Sequence, residues 1–151
     1  MATSTKLLGD AGEHYALSQF SFAGKYAAKM PDNWQGYDLA VETGSELVKV
    51  SVKTRSESAD MRYSPLFHWN HRRCCDWIVF LFQPKQGSFR SWIIPAMLAE
   101  EFATKSMEWM NMPLDRELPL TRLGKPPLAE YEDNWSMEVK ELAPSATEAS
   151  C

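Results

Sequence analysis

The sequence predicts an α/β domain in which a mixed central sheet carries helices on both faces. Three observations predict it: a helical pattern near the N-terminus, two alternating segments joined by a Gly-Ser turn, and a continuous apolar run followed by a further strand and a helix. The order is therefore helix, β-hairpin, strand, strand, helix, which favours a layered α/β structure. With 151 residues, the chain is long enough for one domain with a substantial core.

Residues 9–30 are predicted to form the first helix, because apolar residues recur there at spacings that a helix places on one face. Asp10 is the expected N-cap, with Glu13 three residues later as in a capping box. The helix is expected to end at the segment 31–36, where proline and glycine interrupt the pattern.

Residues 37–43 and 46–54 alternate between apolar and polar side chains and are predicted to form two antiparallel strands. Gly44 and Ser45 between them suit a two-residue type II′ turn, which takes glycine at its first central position. A hairpin with a two-residue turn has a fixed register, so the turn also decides which residues face each other.

The predicted register places Asp38 opposite Ser51. One face of the hairpin then carries the apolar set Leu39, Val41, Val48, Val50 and Val52. The other face carries Asp38, Ala40, Glu42, Lys49, Ser51 and Lys53. A slip of one residue would mix the two sets, so the pattern itself supports the register.

The rest of the chain continues the sheet and then loses regularity. Residues 55–73 are predicted to be a long polar and aromatic connection, and residues 76–82 a strand buried on both faces. "FRSWIIP" is a further strand, and Pro95 opens an amphipathic helix. One domain is expected over 1–142: a core of about 8–105, then an irregular C-terminal extension, 106–142, with residues 143–151 as a flexible tail.

The C-terminal extension leaves two interpretations open. It either binds a partner or covers one edge of the sheet. Within it, "LAEYEDNWSMEVKEL" is predicted to form a short helix or strand packed by Tyr131 and Trp135.

The composition predicts a cytoplasmic protein that does not enter membranes. No apolar run approaches membrane-spanning length, and the N-terminus lacks the order of a secretory signal. The three cysteines suggest free thiols and no disulfide framework. The net charge of −4 argues against a general nucleic-acid coat, but residues 49–73 contain six basic and two acidic side chains. That basic segment indicates either an anion-binding region or a solvated loop.

The hairpin register brings Asp38 and Lys53 to one end of the polar face, with Ser51 between them. A carboxylate beside a lysine on adjacent strands is also a common structural ion pair. The nearby helix, which carries Glu13, and the surplus of positive charge favour a functional interpretation.

These residues resemble the PD-(D/E)XK nucleases, which have the restriction-endonuclease-like fold. Asp38 in "GYDLAV" matches the family's aspartate, "SVK" at 51–53 occupies the acid-x-lysine position, and Glu13 in "GDAGEHYALSQF" matches the helix glutamate. The resemblance covers roughly residues 8–105 and is greatest to a branch of small bacterial endonuclease-like proteins. It implies a restriction-endonuclease-like core and metal-dependent hydrolysis of DNA phosphodiesters.

The resemblance also implies a set of catalytic residues: Asp38, Lys53, Ser51 and Glu13. The implied metal ligands are Asp38, the backbone carbonyl of Val52, and Glu13, holding Mg²⁺ or Mn²⁺. Lys53 would stabilise the phosphate or help to deprotonate the attacking water. Ser51 departs from the family, which has Glu or Asp there, or Gln in the similar branch, so metal binding is expected to be weakened or absent.

The segment after the hairpin supplies the expected DNA contacts. Basic side chains that could bind phosphates are Arg55, Arg62, His68, His71, Arg72 and Arg73. Tyr63, Phe67 and Trp69 are candidates for stacking on bases, although Phe67 and Trp69 suit the core under a long loop equally well. His68, His71 and Cys74 lack the fourth ligand that a zinc site needs.

Three functions remain open from the sequence. The leading hypothesis is a metal-dependent nuclease with DNA as its partner, and the resemblance allows a homodimer. The alternative is a nuclease fold that has lost catalysis and serves as a nucleic-acid-binding or protein-interaction module. The third is a structural domain in which Asp38 and Lys53 form only an ion pair.

Overall fold

The computed structural model describes residues 4–57, 64–70, 75–105 and 115–141. The helices are α1 (Thr5–Phe22), α2 (Ala96–Phe102) and α3 (Leu120–Leu123), with a 3₁₀ helix at Leu128–Tyr131. The strands are β1 (Ala27–Lys29), β2 (Leu39–Thr43), β3 (Glu46–Ser56), β4 (Leu66–Asn70), β5 (Trp77–Gln83), β6 (Arg90–Pro95), β7 (Thr104–Lys105) and β8 (Asp115–Pro119).

The central sheet is mixed, as the sequence predicts. Its strand order is β1-β2-β3-β5-β6, in which β3 and β5 run parallel and the other neighbours are antiparallel. A second, antiparallel sheet has the order β4-β8-β7. The α/β fold class with helices on both faces of the central sheet is confirmed, since α1 packs against β3 on one face and α2 against β5 and β6 on the other.

The predicted hairpin is confirmed in its register and its turn. Leu39 pairs with Val50, and Thr43 pairs with Glu46 across the two-residue turn. Gly44 has a φ of 60° while Ser45 keeps a negative φ, as a type II′ turn requires. β2 begins two residues later than predicted, and β3 continues to Ser56.

β5 separates two hydrophobic cores, which confirms the prediction of a strand buried on both faces. Its alternate side chains Trp77, Val79 and Leu81 join a core beneath α1. Ile78, Phe80 and Phe82 join a second core beneath α2 and the smaller sheet. The second core extends beside β3, where Ser51 pairs with Ile78 and is only 3% exposed. The predicted polar face of the hairpin is therefore buried at Ser51.

α1 meets the sheet through a stripe of three residues at intervals of four. Gly12, Ala16 and Phe20 are its buried positions, and they increase in size along the helix. Gly12 lies directly against Thr54 of β3, where a Cβ atom on residue 12 would clash with the threonine side chain. The helix therefore lies closest to the sheet at Gly12, and Glu13 follows immediately.

The prediction of one helix over 9–30 was wrong at both ends. α1 begins after Ser4, whose hydroxyl accepts a hydrogen bond from the Leu7 amide at 3.2 Å. Asp10 is inside the helix, where its carboxylate pairs with Lys6 at 2.8 Å. Gly24, with a φ of 81°, ends the helix, and the next residues form β1 because they pair with the exposed edge of β2.

The predicted long connection over 55–73 was also wrong in part. β3 occupies its first residues, and residues 66–70 form β4, which pairs with β8. Phe67 and Trp69 are 1% and 7% exposed, so they belong to the second core. They point to one side of β4 because a strand alternates its side chains, and the sheet partner that makes this a strand is more than forty residues away in sequence.

The C-terminal extension contributes to both cores and covers a sheet edge. Tyr131 is in a 3₁₀ helix, and it and Trp135 are 1% and 9% exposed, as predicted. Glu132 forms a bridge with Trp92 of edge strand β6, and the Asp133 amide donates to the Ser91 carbonyl at 2.9 Å. Of the two interpretations, the structure supports edge coverage. The sequence did not predict β8 or α3, and the predicted tail lies outside the described residues.

We predict that Gly12→Ala destabilises the protein by about 1–3 kcal/mol, the usual cost of overpacking a close contact. The added methyl group would force α1 away from Thr54. Urea unfolding followed by circular dichroism measures the change.

Gly9→Ala is the matched control, because residue 9 is in the same helix and has open space around its missing Cβ. It should stabilise the protein by roughly 0.5–1 kcal/mol through helix propensity. Thr54→Ala should partly rescue Gly12→Ala in a double-mutant cycle. Equal effects of the two glycine substitutions would contradict the proposed close contact.

A further prediction concerns the thiol of Cys75, which packs against the second core. Burial raises its pKa from 9.0 to about 11, with the charge of Lys53 opposing the rise. In a Cys74→Ser, Cys151→Ser variant, alkylation by iodoacetamide should accelerate only as the pH approaches about 11. Stability should be complete below pH 9.0 and fall as the pH rises towards about 11, because the unfolded thiol ionises first. An ordinary alkylation profile with a midpoint near 9.0 would show that the thiol is accessible.

Candidate functional site

Asp38 lies just before β2 and is held against β3 by its backbone and its side chain. Its amide donates to the Val50 carbonyl at 2.9 Å. Its Oδ2 accepts a hydrogen bond from the Val52 amide at 2.7 Å and a longer one from the Ser51 hydroxyl at 3.4 Å. The carboxylate is therefore fixed to the strand segment that carries the serine and lysine of the "SVK" motif.

The side chains of Ser51 and Lys53 lie on the same face of the sheet, next to residues of the neighbouring strand β5. Ser51 pairs with Ile78 and Lys53 with Phe80, so the two polar side chains border the second core. Lys53 is half-buried. Its positive charge and the negative charge of Asp38 both act on the pKa of Cys75, in opposite directions, which places both charges near that thiol.

Glu13 and Asp38 meet in a cleft of about 170 Å³ between α1 and the start of β2. The residues that line it are Lys6, Asp10, Glu13, Met30, Pro31, Asp32, Trp34, Tyr37 and Asp38. Burial raises the pKa of the Glu13 carboxyl, and the negative charge of Asp38 raises it further. The two carboxylates are therefore electrostatic neighbours in one opening.

The four predicted catalytic residues do not all line this cleft. Glu13 and Asp38 face it, whereas Ser51 contacts Asp38 from the side of β3, and Lys53 follows along the same strand. The structure thus brings Glu13 and Asp38 into the cleft and Ser51 into contact with Asp38, whereas Lys53 does not line the cleft.

Lys29 is a cleft-side residue that the sequence did not predict. Its Nζ lies 3.3 Å from Glu13 Oε2 and 2.8 Å from Asp32 Oδ1. It reaches Glu13 because β1 pairs with β2. The sequence pattern predicted a helix that includes residue 29, so this contact was not expected. The signal that could have revealed β1 was Gly24, a typical residue for the end of a helix.

The carboxylates that line the cleft are the kind of ligand that a hard divalent cation takes, but they are not grouped closely enough to hold one. Carboxylate and carbonyl oxygens are the ligands that Mg²⁺ prefers. Within the described ranges, no group of three His, Cys, Asp or Glu side chains is placed to hold a metal ion. Of the predicted ligands, Glu13 and Asp38 are the two that line the cleft, and the neighbouring Ser51 contributes no charge.

Only two of the six predicted phosphate-binding side chains lie in described parts of the chain. Arg55 is exposed near the end of β3. His68 is partly exposed on β4, with its Nδ1 3.6 Å from Glu117 Oε1. Arg62, His71, Arg72 and Arg73 lie outside the described residues, as do Tyr63 and Cys74.

The prediction that Phe67 and Trp69 stack on bases was wrong for this structure. Both are buried, and the Trp69 indole donates a hydrogen bond to Glu100 Oε1 at 2.8 Å. They pack against Phe80 at centroid distances of 5.2 and 5.5 Å. The alternative assignment to the core is confirmed.

None of the described helices combines the length and the apolar character needed to cross a membrane.

Comparison with known proteins gives a structural match without a sequence match. No protein-family profile and no curated protein matches the sequence. The structure is similar to that of a bacterial homing endonuclease, with a TM-score of 0.57 and 21% identity over 89% of this chain and 90% of that chain. It also matches Hjc, a Holliday junction resolvase from the archaeal hyperthermophile Archaeoglobus fulgidus, with a TM-score of 0.48 and 10% identity over 76% of this chain and 85% of that one.

The likeness to the homing endonuclease, taken with the mixed sheet and its flanking helices, shows the fold. The chain has the restriction-endonuclease-like fold that the sequence predicts.

Proposed function

We propose that this chain is a metal-dependent nuclease that hydrolyses DNA phosphodiester bonds. The observation that supports it best is the pair of carboxylates, Glu13 and Asp38, in one cleft, with Asp38 hydrogen-bonded to the backbone between Ser51 and Lys53. The likeness of the fold to that of a homing endonuclease also supports it.

Each residue of the site has a distinct task in this reaction. Bound Mg²⁺ or Mn²⁺ would neutralise developing charge and activate water. Asp38, Glu13 and the Val52 carbonyl would hold it through oxygen atoms. Lys53 would orient the scissile phosphate or accept a proton from the attacking water, while the ester oxygen that leaves the phosphorus must gain a proton. Ser51 is neutral, so it can orient Asp38 but supplies no charge to the metal.

A second candidate function is a nuclease fold that has lost catalysis and retains nucleic-acid binding. Two observations favour it: Ser51 is buried against Asp38, and no three His, Cys, Asp or Glu side chains of the described residues are placed to hold a metal ion together. The two proposals differ in whether DNA is cleaved, so one assay separates them.

We predict that Asp38→Asn and Lys53→Met each reduce cleavage of plasmid and single-stranded DNA by about 100-fold or more in Mg²⁺ or Mn²⁺. Gel electrophoresis of the products measures the rate. Matched controls are Glu46→Gln, an exposed acid at the hairpin turn, and Lys105→Met, an exposed lysine on β7. Full activity in Asp38→Asn would overturn the proposed site, and uncleaved but bound DNA with the wild-type chain would favour the non-catalytic candidate.

Ser51→Glu tests whether one missing carboxylate limits the site. Without metal, a glutamate at this buried position beside Asp38 should destabilise the fold by about 1–3 kcal/mol. Mn²⁺ should then raise the melting temperature of the variant more than that of the wild type, because a ligand that binds the native state stabilises it.

Ser51→Met is the uncharged control of similar length, and it has no oxygen ligand to offer. It should be destabilised by its size but should gain nothing more from Mn²⁺ than the wild type does. If Ser51→Glu showed no additional stabilisation by Mn²⁺, residue 51 would not be a metal position. If that variant cleaved DNA and the wild type did not, the chain would be a nuclease that lost catalysis at this residue.

A further inference from the structure

Trp34 and Tyr37 form an aromatic wall at the edge of the cleft that contains Glu13 and Asp38. Trp34 is 52% exposed, a large fraction for so apolar a side chain. Its position is set by a turn in which its amide donates to the Pro31 carbonyl at 2.8 Å.

The two rings are fixed relative to each other in an edge-to-face arrangement. Their centroids are 6.2 Å apart and their planes make an angle of 76°. Such a contact uses the edge of one ring and one face of the other, so it leaves further ring faces for a planar ligand. Lys49 Nζ lies 5.8 Å from the centroid of Tyr37, which adds positive charge beside the wall.

The position of the wall indicates what kind of ligand it takes. Asp38 is one residue from Tyr37 and shares its cleft, so a phosphodiester at Asp38 would place an adjoining nucleoside near the aromatic rings. A base within a duplex is stacked on both sides and cannot offer its face to a protein ring. An unpaired base has free faces, and aromatic side chains bind such bases irrespective of sequence.

We propose that Trp34 and Tyr37 form a stacking site for an unpaired nucleobase next to the phosphate that is cleaved. This site replaces the buried Phe67 and Trp69 as the place where bases stack. The inference rests on the proposed action on nucleic acid, and it narrows the substrate to DNA with a single-stranded or extruded nucleotide at the cleft.

The test measures binding of a short fluorescein-labelled oligothymidylate by fluorescence anisotropy without divalent metal, so that the strand is not cleaved, with gel electrophoresis to verify that it stays intact. Trp34→Ala should weaken binding between about 5-fold and 150-fold, the range that loss of one base–aromatic stack produces. Trp34→Phe should retain most of the affinity, because it keeps an aromatic face. Circular dichroism should show both variants folded, since the Trp34 side chain is half-exposed.

Two controls separate stacking from other effects. Phe22→Ala removes an aromatic side chain that is 85% exposed and does not line this cleft, so it should leave the affinity unchanged. A strand of equal length with abasic sites carries the same phosphates without bases. Trp34→Ala should not alter binding of that strand, and it should not alter binding of a blunt duplex.

The outcomes distinguish this inference from the proposed function. If the wild type cleaves DNA and Trp34→Ala binds oligothymidylate with unchanged affinity, the stacking site is wrong and the nuclease function stands. If binding depends on Trp34 but no DNA is cleaved, the stacking site is supported and the catalytic function is wrong. If the wild type binds none of the three probes, both are overturned.

Discussion

The close approach of α1 to β3 at Gly12 is the contact on which the geometry of the cleft depends. A glycine at this point lets the helix backbone lie against the Thr54 side chain, and Ala16 and Phe20 then fill the widening space along the same stripe. Glu13 is the next residue on the helix, so its distance from Asp38 follows from how near the helix lies. A larger residue at position 12 would move the carboxylate as well as weaken the core.

The second constraint comes from the sheet, which fixes Asp38 independently of the helix. Its carboxylate accepts a hydrogen bond from the Val52 amide, and its own amide donates to Val50, so both ends of the residue are tied to β3. β3 lies between β2 and β5 and cannot shift without breaking pairing on both sides. Functional side chains on such rigid elements keep their geometry better than those on loops.

Local pattern was enough to predict the elements whose pairing partners are near in sequence. The hairpin followed from alternation and a Gly-Ser turn, and β5 followed from an uninterrupted apolar run. Asp38, Ser51 and Lys53 were placed on one side of the sheet by this register alone. That placement did not require any knowledge of the rest of the fold.

Elements that depend on distant partners could not be predicted in this way. β1 has three residues and is a strand only because β2 offers it an edge, while β4 needs β8, far along the chain. The burial of Ser51 depends on the second core, which these later elements complete. For the same reason Lys29 could not be identified as a partner of Glu13, and Trp69 could not be assigned to the core with certainty.

The charges in the cleft connect the missing carboxylate to the role of Lys29. The lining residues include the acids Asp10, Glu13, Asp32 and Asp38 and one base, Lys6, a formal net charge of −3. Lys6 is paired with Asp10, and Lys29 contacts both Glu13 and Asp32. Of the four acids, Asp38 is held by hydrogen bonds from an amide and a hydroxyl, which are neutral.

A divalent cation at Asp38 would add positive charge beside this carboxylate, and it would compete with Lys29 for Glu13. A variant with an acid at position 51 would offer the cation one more negative charge on the side of β3. In this chain position 51 is a neutral serine, so the strength of the proposed metal binding would depend on how readily Glu13 exchanges the lysine for the metal. The neutral side chain of Ser51 and the ion pair made by Lys29 would thus act on the same proposed binding equilibrium.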